Sequence, residues 1–454
     1  MNRAEEIWSQ IEKLQKLNVE MRSQYNYRVP LLQLYEALFV ADLSFALEKN
    51  VDCQFFLIQK EILDELKGHL CSKSNSRSYI NGYRNALFEC STELKELCLL
   101  VQQKYDFRQI KFPVMLTVRE DTELDTGVKL CSAPNEHLSR FAHFICLRMG
   151  DIARYQHNYR LAREMYKAAI RIAPTDGQAW NQIGLIEVAE KRLVDALYCY
   201  STACGVKSAF SPALDNREKM LEKYITIKND EEESNSNSII LSLIANCRFP
   251  KAPDQLLRDR ITTFFSSWSG NYEAFYQYFV ILASIYEGLD NDDGKGKTYE
   301  LFDLLISKFY SCLLKKCLEM RHEGCGIQFL SLLWLYMTWI KAANISLKIK
   351  DDFAALSSMA ELLDSIQCDV KLSTKRVYLD CLSFIPYEEA SLSSLSILLS
   401  DVFWRILGEY KITSNAEPTL MALVEALRVR LSSKRRPRVS RTVPILSSLE
   451  SCQS

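Results

Sequence analysis

At 454 residues the chain is longer than one compact core usually spans, so two domains are the default expectation. Apolar residues make up 48% and charged residues 25%, an ordinary globular balance that excludes a largely disordered chain. Lys and Arg total 56 against 57 Asp and Glu, a formal net charge of −1, so no global field draws the protein onto nucleic acid or membrane and only a local basic site remains to do so.

With 14 Gly and 11 Pro, long helices are favoured over many short strands. The N-terminus is charged and lacks the apolar core of a signal peptide. Glu5 to Asn18 carries an apolar seam, and Leu31 to Leu47 ("LLQLYEALFVADLSFAL") is strongly apolar. Phe55 to Leu70 and Ser78 to Tyr105 space apolar residues three and four apart, the mark of helices with one buried face. Asp106 to His137 holds two prolines, no helical period and several β-branched residues, and reads as a long loop.

From His143 the chain repeats itself. Counting His143 as position 1, Gly150 falls at 8, Ala162 at 20, Tyr166 at 24, Ala169 at 27 and Pro174 at 32. Counting again from Gly177, 34 residues later, Trp180 falls at 4, Gly184 at 8, Ala196 at 20, Tyr200 at 24 and Ala203 at 27. This is the 34-residue tetratricopeptide (TPR) pattern, with repeats at 143–176 and 177–210. Small residues at 8 and 20 let the two helices of a hairpin approach closely; the aromatic at 24 is expected to fill the gap to the next hairpin. Two repeats do not make a free-standing solenoid, so neighbouring helices must cap them. With a helix around Ala213 to Lys228, residues 1–228 are expected to form one domain of roughly nine helices.

Residues 229–238 are acidic and polar and read as a linker. A second all-helical domain of about seven to nine antiparallel helices is expected over 239–431. Its most apolar stretch, Ile327 to Ile340 ("IQFLSLLWLYMTWI"), has 14 residues with Gln, Ser and Thr inside, too short to span a bilayer, and reads as a buried helix. The tail, 432–454, has little helix signal and is expected to be disordered. Its basic run Lys434 to Arg438 ("KRRPR") has the look of a nuclear-localisation signal and equally of a solubilising end, and Arg438 to Ser440 is a weak kinase-site pattern. Fifteen cysteines without a CxxC pair read as reduced thiols, which suits a cytosolic or nuclear protein.

No catalytic pattern stands out. The five histidines form no HExxH, and no phosphate-cradling glycine loop follows a strand, so neither an enzyme nor a metal or cofactor is expected. Binding is the better reading. Arg154 and Tyr155 sit mid-helix in the first repeat, where a plain scaffold needs no such pair. Lys60 and Lys67 are seven apart, close to two helical turns, so both amines project from one face. Each has a bland alternative: surface lysines, an Arg154 salt bridge to Asp151, and a core ring at Tyr155.

"MGDIARY" is similar to the 14-3-3 stretch in which Gly-Asp is followed, after two residues, by Arg-Tyr. In that family the pair binds phosphoserine together with a Lys and an Arg seven apart on an earlier helix. The matching positions here are Lys60 and Lys67, the second departing from the pattern as Lys for Arg, which retains the charge but not the bidentate fork. Asn181, in "GQAWNQIG", lies near the place where 14-3-3 proteins hold the peptide backbone with an Asn; a structural amide is the alternative there. More closely, "LRMGDIARYQ", "AREMYKAAIRIAPTDGQAWNQIG" and "GVKSAFSPALDN" resemble the SMG/Est-one-like family of nonsense-mediated mRNA decay factors, and the SMG-seven branch in particular. The resemblance implies an all-α fold: a 14-3-3-like domain containing TPR hairpins, followed by a domain of antiparallel helical hairpins. It implies a phosphoserine- or phosphothreonine-peptide-binding adaptor, with the phosphorylated up-frameshift RNA helicase as ligand and an SMG-five-like paralogue as heterodimer partner. The implied setting is the cytoplasm with shuttling to the nucleus, with no membrane partner and no direct nucleic-acid binding. The alternatives are a phosphate-independent TPR scaffold and a telomerase-associated nucleic-acid-binding factor.

Overall fold

Helix follows helix from Arg3 onward. The computed structural model describes residues 3–16, 25–72, 77–117, 130–225, 236–291, 295–320 and 326–343, with a few single positions between 345 and 362. The tail at 432–454, its basic run and most of the expected second domain beyond 343 lie outside the described residues. Among the described residues there is no strand; two isolated bridge pairs, Tyr105 with Cys131 and Asp176 with Ser208, are the extended contacts. The ten cysteines from Cys53 to Cys317 whose side chains are described are free thiols.

Among the described residues ten helices precede residue 228. They are α1 Arg3–Gln15, α2 Tyr25–Ala41, α3 Leu43–Glu48, α4 Val51–Ser72, α5 Arg77–Lys104, α6 Asn135–Tyr155, α7 Tyr159–Ile172, α8 Gly177–Ala189, α9 Leu193–Gly205 and α10 Ser211–Glu222. One more appears than expected because the apolar run Leu31 to Leu47 is two helices, not one. Asp42 breaks it: its backbone is extended (φ −150°), and its side chain accepts from the Phe45 N–H at 3.0 Å, capping α3. Lys104 closes the other side of the break, donating to the carbonyls of Val40 and of Ala41 at the end of α2. Of the expected loop, residues 118–129 lie outside the described residues; the described parts are irregular apart from a short 3-10 turn at Val114–Leu116, and helix α6 takes the last three residues from Asn135.

The repeats are two hairpins, α6 with α7 and α8 with α9, packed in sequence. Their internal packing corrects one expectation. The tyrosine at position 24 lies over the glycine of its own hairpin: a Cβ on Gly150 would stand 2.5 Å from Tyr166 Cε1, and one on Gly184 2.5 Å from Tyr200 Cε1. Ring on bare backbone is what brings each pair of helices together. Both hairpins turn at position 15 through a left-handed residue that is not glycine, His157 (φ 58°) and Lys191 (φ 60°).

The stretch after α9 folds back on the second repeat. Ser208 N–H donates to Thr175 O and Gly177 N–H to Ser208 O, each at 3.0 Å. That return seats α10 against α8. Arg217 of α10 is buried and donates to Ser284, to Oγ at 3.0 Å and to the carbonyl at 3.3 Å, while Ser284 Oγ donates to Ser201 O at 2.9 Å.

Beyond these lie α11 Ser236–Arg248, α12 Asp254–Ser267, α13 Tyr272–Glu287, α14 Lys295–Met320 and α15 Gly326–Ala342. Two compact units divide the molecule: one holds the described residues through Leu257 together with Glu273–Tyr299, the other Arg258–Tyr272 and the described residues from Glu300. The second unit has its own aromatic core, where Phe265, Phe309, Tyr310, Tyr336 and Trp339 meet ring to ring and Tyr336 Oη donates to Ile306 O at 2.8 Å. Ile327 to Ile340 lies within the buried helix α15, and no described helix is long and apolar enough to cross a membrane.

Candidate functional site

The arginine-tyrosine pair stands at the last turn of α6, and a buried carboxylate organises it. Asp151 is 1% exposed. Its Oδ2 takes Arg148 Nη1 at 2.8 Å, and its Oδ1 takes the Tyr166 hydroxyl at 2.8 Å. Arg154 reaches the same carboxylate only at 4.0 Å, but its Nε donates to the Tyr166 hydroxyl at 3.4 Å. The expected Arg154–Asp151 bridge is thus the longest link in the group. It positions Arg154 without consuming its donors.

Electrostatics follow from that arrangement. Burial opposes the charge of Arg154, but Tyr166, Asp151 and Tyr155 more than offset it and hold the guanidinium firmly protonated. Its carbon lies 4.6 Å from the centre of the Tyr155 ring. Tyr155 is half-buried; burial and then Asp151 raise its phenol, Arg154 opposes, and Asp64 adds a further push. Tyr155 is therefore not a closed core ring.

In the second repeat the positions of Asp151, Arg154 and Tyr155 are occupied by Leu185, Val188 and Ala189. The same hairpin forms without them, so the polar set of the first repeat is not a requirement of the fold.

Helix α4 runs alongside α6 in the same direction. Arg140 grips Asp52 with two bonds of 2.8 Å, Phe55 meets Phe144 at 6.4 Å, and the Arg148 guanidinium lies 3.7 Å from the centre of the Phe56 ring. Phe56, Lys60, Asp64 and Lys67 follow one another on one face of α4. From Phe56 to Asp64 is about 12 Å of helix, and from Arg148 to Tyr155 about 10.5 Å. Asp64 therefore comes level with Tyr155, as its effect on that phenol requires, and Lys60 and Lys67 lie one turn to either side. Both lysines are exposed, and neither is in an ion pair among the described residues. The neighbouring acids Glu61 and Glu65 turn to Arg28, at 4.0 and 2.8 Å.

Asn181 of α8 is 3% exposed, and its Oδ1 accepts from Asn216 Nδ2 at 2.9 Å. That bond fixes the amide and leaves the Asn181 Nδ2 unpaired among the described residues. No hydrogen bond or ion pair among the described residues joins Asn181 to the other four.

Four further residues act on Arg154, Tyr155 or Asp151 and were not named from the sequence as binding residues: Arg148 and Tyr166, the latter expected only as a packing ring, in the Asp151 network, and Asp64 and Tyr83. Tyr83 of α5 is a half-buried phenol raised first by burial, with Tyr155 and Asp64 adding and Arg154 opposing. Three helices thus carry the cations Lys60, Lys67 and Arg154 and the phenols Tyr83 and Tyr155, with the lysines exposed on α4 one turn to either side of the level of Tyr155. Chemically the set suits a tetrahedral oxyanion. Among the described residues no cluster of His, Cys, Asp and Glu could hold a metal ion.

Comparison with known proteins concerns the chain rather than these residues. A family model described as the Est1 DNA/RNA binding domain matches residues 162–401. The nonsense-mediated mRNA decay factor SMG7 of Danio rerio is 24% identical over 210 residues, 45% of this chain and 18% of that protein. Telomerase-binding protein EST1A of Danio rerio is 25% identical over 231 residues, 49% of this chain and 14% of that protein, and human SMG5 is 24% identical over 173 residues, 36% of this chain and 16% of that protein. The matched part thus spans less than a fifth of each of these relatives. Among solved structures, one from the C. elegans SMG5-SMG7 complex aligns over 89% of this chain and 99% of its own with TM-score 0.69 at 21% identity. Another, from a crystal structure of Est1 and Cdc13, aligns over 89% and 95% with TM-score 0.55 at 14% identity.

Proposed function

The chain belongs to the family of the Est1 DNA/RNA binding domain, and from that premise we propose that it is a phosphoserine- or phosphothreonine-peptide-binding adaptor of nonsense-mediated mRNA decay. Its similarity to SMG7 and SMG5 supports the pathway. The observation that carries the binding chemistry is Arg154 held by Tyr166 and Asp151 beside Tyr155, opposite a helix face with two unpaired lysines. A phosphoserine brings about −1.5 to −2 charges and three acceptor oxygens. Each charge-assisted bond from Arg154, Lys60 or Lys67 contributes about 1.5–3 kcal/mol, and a tyrosine hydroxyl completes the set. Asn181 Nδ2, backed by Asn216, is the donor for the peptide backbone.

In this reading residues 1–228 are the phosphopeptide module and 239–431 a second helical module. The ligand is the phosphorylated helicase of the decay pathway. An SMG5-like paralogue is the heterodimer partner, a reading supported by the structural neighbour drawn from a complex of SMG5 with SMG7. The protein works in the cytoplasm, shuttles to the nucleus and catalyses nothing. The test is fluorescence anisotropy of a phosphoserine peptide and its unphosphorylated twin with the wild type, Lys60→Glu and Arg154→Glu, with circular dichroism to confirm folding. Loss of phosphate-dependent binding in both folded variants supports the site; binding indifferent to phosphate refutes it.

A second reading has one observation behind it, the family's description as DNA/RNA binding. It requires affinity for oligonucleotides that falls steeply with salt. The net charge of −1 weighs against it.

A further inference from the structure

Asp64 is an odd residue in a site for an anion. It is exposed, it lies between Lys60 and Lys67 on the same face of α4, and it takes part in no ion pair or hydrogen bond among the described residues. A carboxylate placed merely to neutralise the two lysines would pair with one of them, since both spacings, four and three residues, allow it. Glu61 and Glu65, the neighbouring acids, do find a partner, Arg28, and lie off the site. Asp64 instead comes level with Tyr155 on the helix that runs parallel to α6, where its charge adds to burial in raising the Tyr155 and Tyr83 phenols.

An unpaired carboxylate there repels a phosphate and attracts a cation. Those two demands are reconciled by a ligand that carries both charges a few ångströms apart. An extended peptide advances about 3.3 Å per residue, and one helical turn of α4 spans about 5.4 Å. With the phosphate on Arg154 and a lysine, a neighbouring side chain one or two residues along the peptide reaches the level of Asp64.

We propose that Asp64 is a specificity-determining residue that selects phosphopeptides carrying an Arg or Lys one or two residues from the phosphorylated position, and disfavours acidic neighbours. This rests on the phosphopeptide reading above and refines it. The site is a positive-negative-positive row, and the preferred ligand presents the complementary charges. Like-charge juxtaposition discriminates between partners more than it adds affinity. For an exposed pair the preference for a basic over a neutral neighbour is about 1.5- to five-fold at low salt, shrinking as salt is added.

The experiment uses the full chain and three phosphoserine peptides that differ only in their flanking residues, Arg, Ala or Glu, each with its unphosphorylated form, by fluorescence anisotropy. The wild type is expected to bind the Arg-flanked phosphopeptide about 1.5- to five-fold more tightly than the Ala-flanked one and the Glu-flanked one least. Asp64→Asn levels the first two, and Asp64→Lys reverses the order. Because Asp64 is exposed and unpaired among the described residues, both variants fold, which circular dichroism verifies. If Asp64→Asn tightens all three phosphopeptides equally, the carboxylate only repels phosphate and the proposal is overturned; an unchanged order of preference overturns it too. If no peptide binds in a phosphate-dependent way, the phosphopeptide reading itself falls and takes this inference with it.

Discussion

Replacing Tyr166 by Phe removes one hydroxyl and leaves the ring over Gly150. That hydroxyl donates to the buried Asp151 at 2.8 Å and accepts from Arg154 Nε at 3.4 Å. The first is a short bond to a charged acceptor, worth about 1.5–3 kcal/mol; the second is long and adds little. Burial and then Asp151 hold the phenol far above its usual range, so it is a neutral donor throughout the working pH range. The expected cost is about 2 kcal/mol in ΔG of unfolding, read as a lower urea midpoint at unchanged m-value. The second repeat supplies the control. Tyr200 occupies the same register over Gly184, but Leu185 stands where Asp151 does. Tyr200→Phe is therefore expected to cost less than about 0.5 kcal/mol. Phosphopeptide affinity should fall about three- to ten-fold in Tyr166→Phe, because Arg154 loses a fixed direction. Equal midpoints for the two variants would refute the reasoning, since the Asp151–Tyr166–Arg154 chain would then hold nothing.

Four other outcomes are expected. Gly150→Ala and Gly184→Ala each push a methyl to 2.5 Å from a buried tyrosine ring and should lower stability by about 1–3 kcal/mol in urea titration; a neutral result would mean that the hairpins can part. Burial, then Glu93 and Glu96, raise the Glu36 carboxyl from 4.5 to about 7. Its contribution to stability is full below about pH 4.5 and is lost as pH rises through 7, so Glu36→Gln should gain about 1 kcal/mol more at pH 8 than at pH 5, after discounting for its exposed third; a gap independent of pH contradicts this. Asn216→Ala frees the Asn181 amide and should weaken phosphopeptide binding several-fold with less than about 1 kcal/mol change in stability; unaltered affinity would remove Asn181 from the site. Lys191→Gly relieves a left-handed backbone and should raise the urea midpoint slightly, by up to about 1 kcal/mol in stability, whereas a loss would show that the Lys191 side chain matters.

How much of this is written in the sequence differs by feature. The repeats are, because packing two helices at close range demands small residues at fixed positions, and Gly150, Ala162, Gly184 and Ala196 satisfy it twice in one register. What position 24 touches is not, since an aromatic there is compatible with either neighbour until the ring is seen over Gly150 and Gly184. The break at Asp42 escapes notice for a related reason. One cap residue inside seventeen apolar-rich positions is a weak local signal, and Lys104, which completes the break, is sixty residues away. Arg154, Tyr155 and the two lysines are visible as pairs with helical spacing. Asp64 shares the face of the two lysines but reads there as an ordinary ion-pair partner, and Tyr83 has no spacing to betray it. They enter through the parallel course of α4 and α6 and the position of α5, which only the tertiary structure supplies.

The hydroxyl that steadies Arg154 comes from α7, the helix made after Arg154 itself. During synthesis, at about 5–20 residues per second, α4, α5 and α6 leave the ribosome before Tyr166 does. Until α7 folds back, Gly150 has no ring above it, Asp151 has no phenol to hold, and Arg154 lacks the hydroxyl that accepts from its Nε. The nascent chain therefore carries every cation of the site before it carries the site. On the proposed function, competence to capture a phosphopeptide arrives late, when the first hairpin closes.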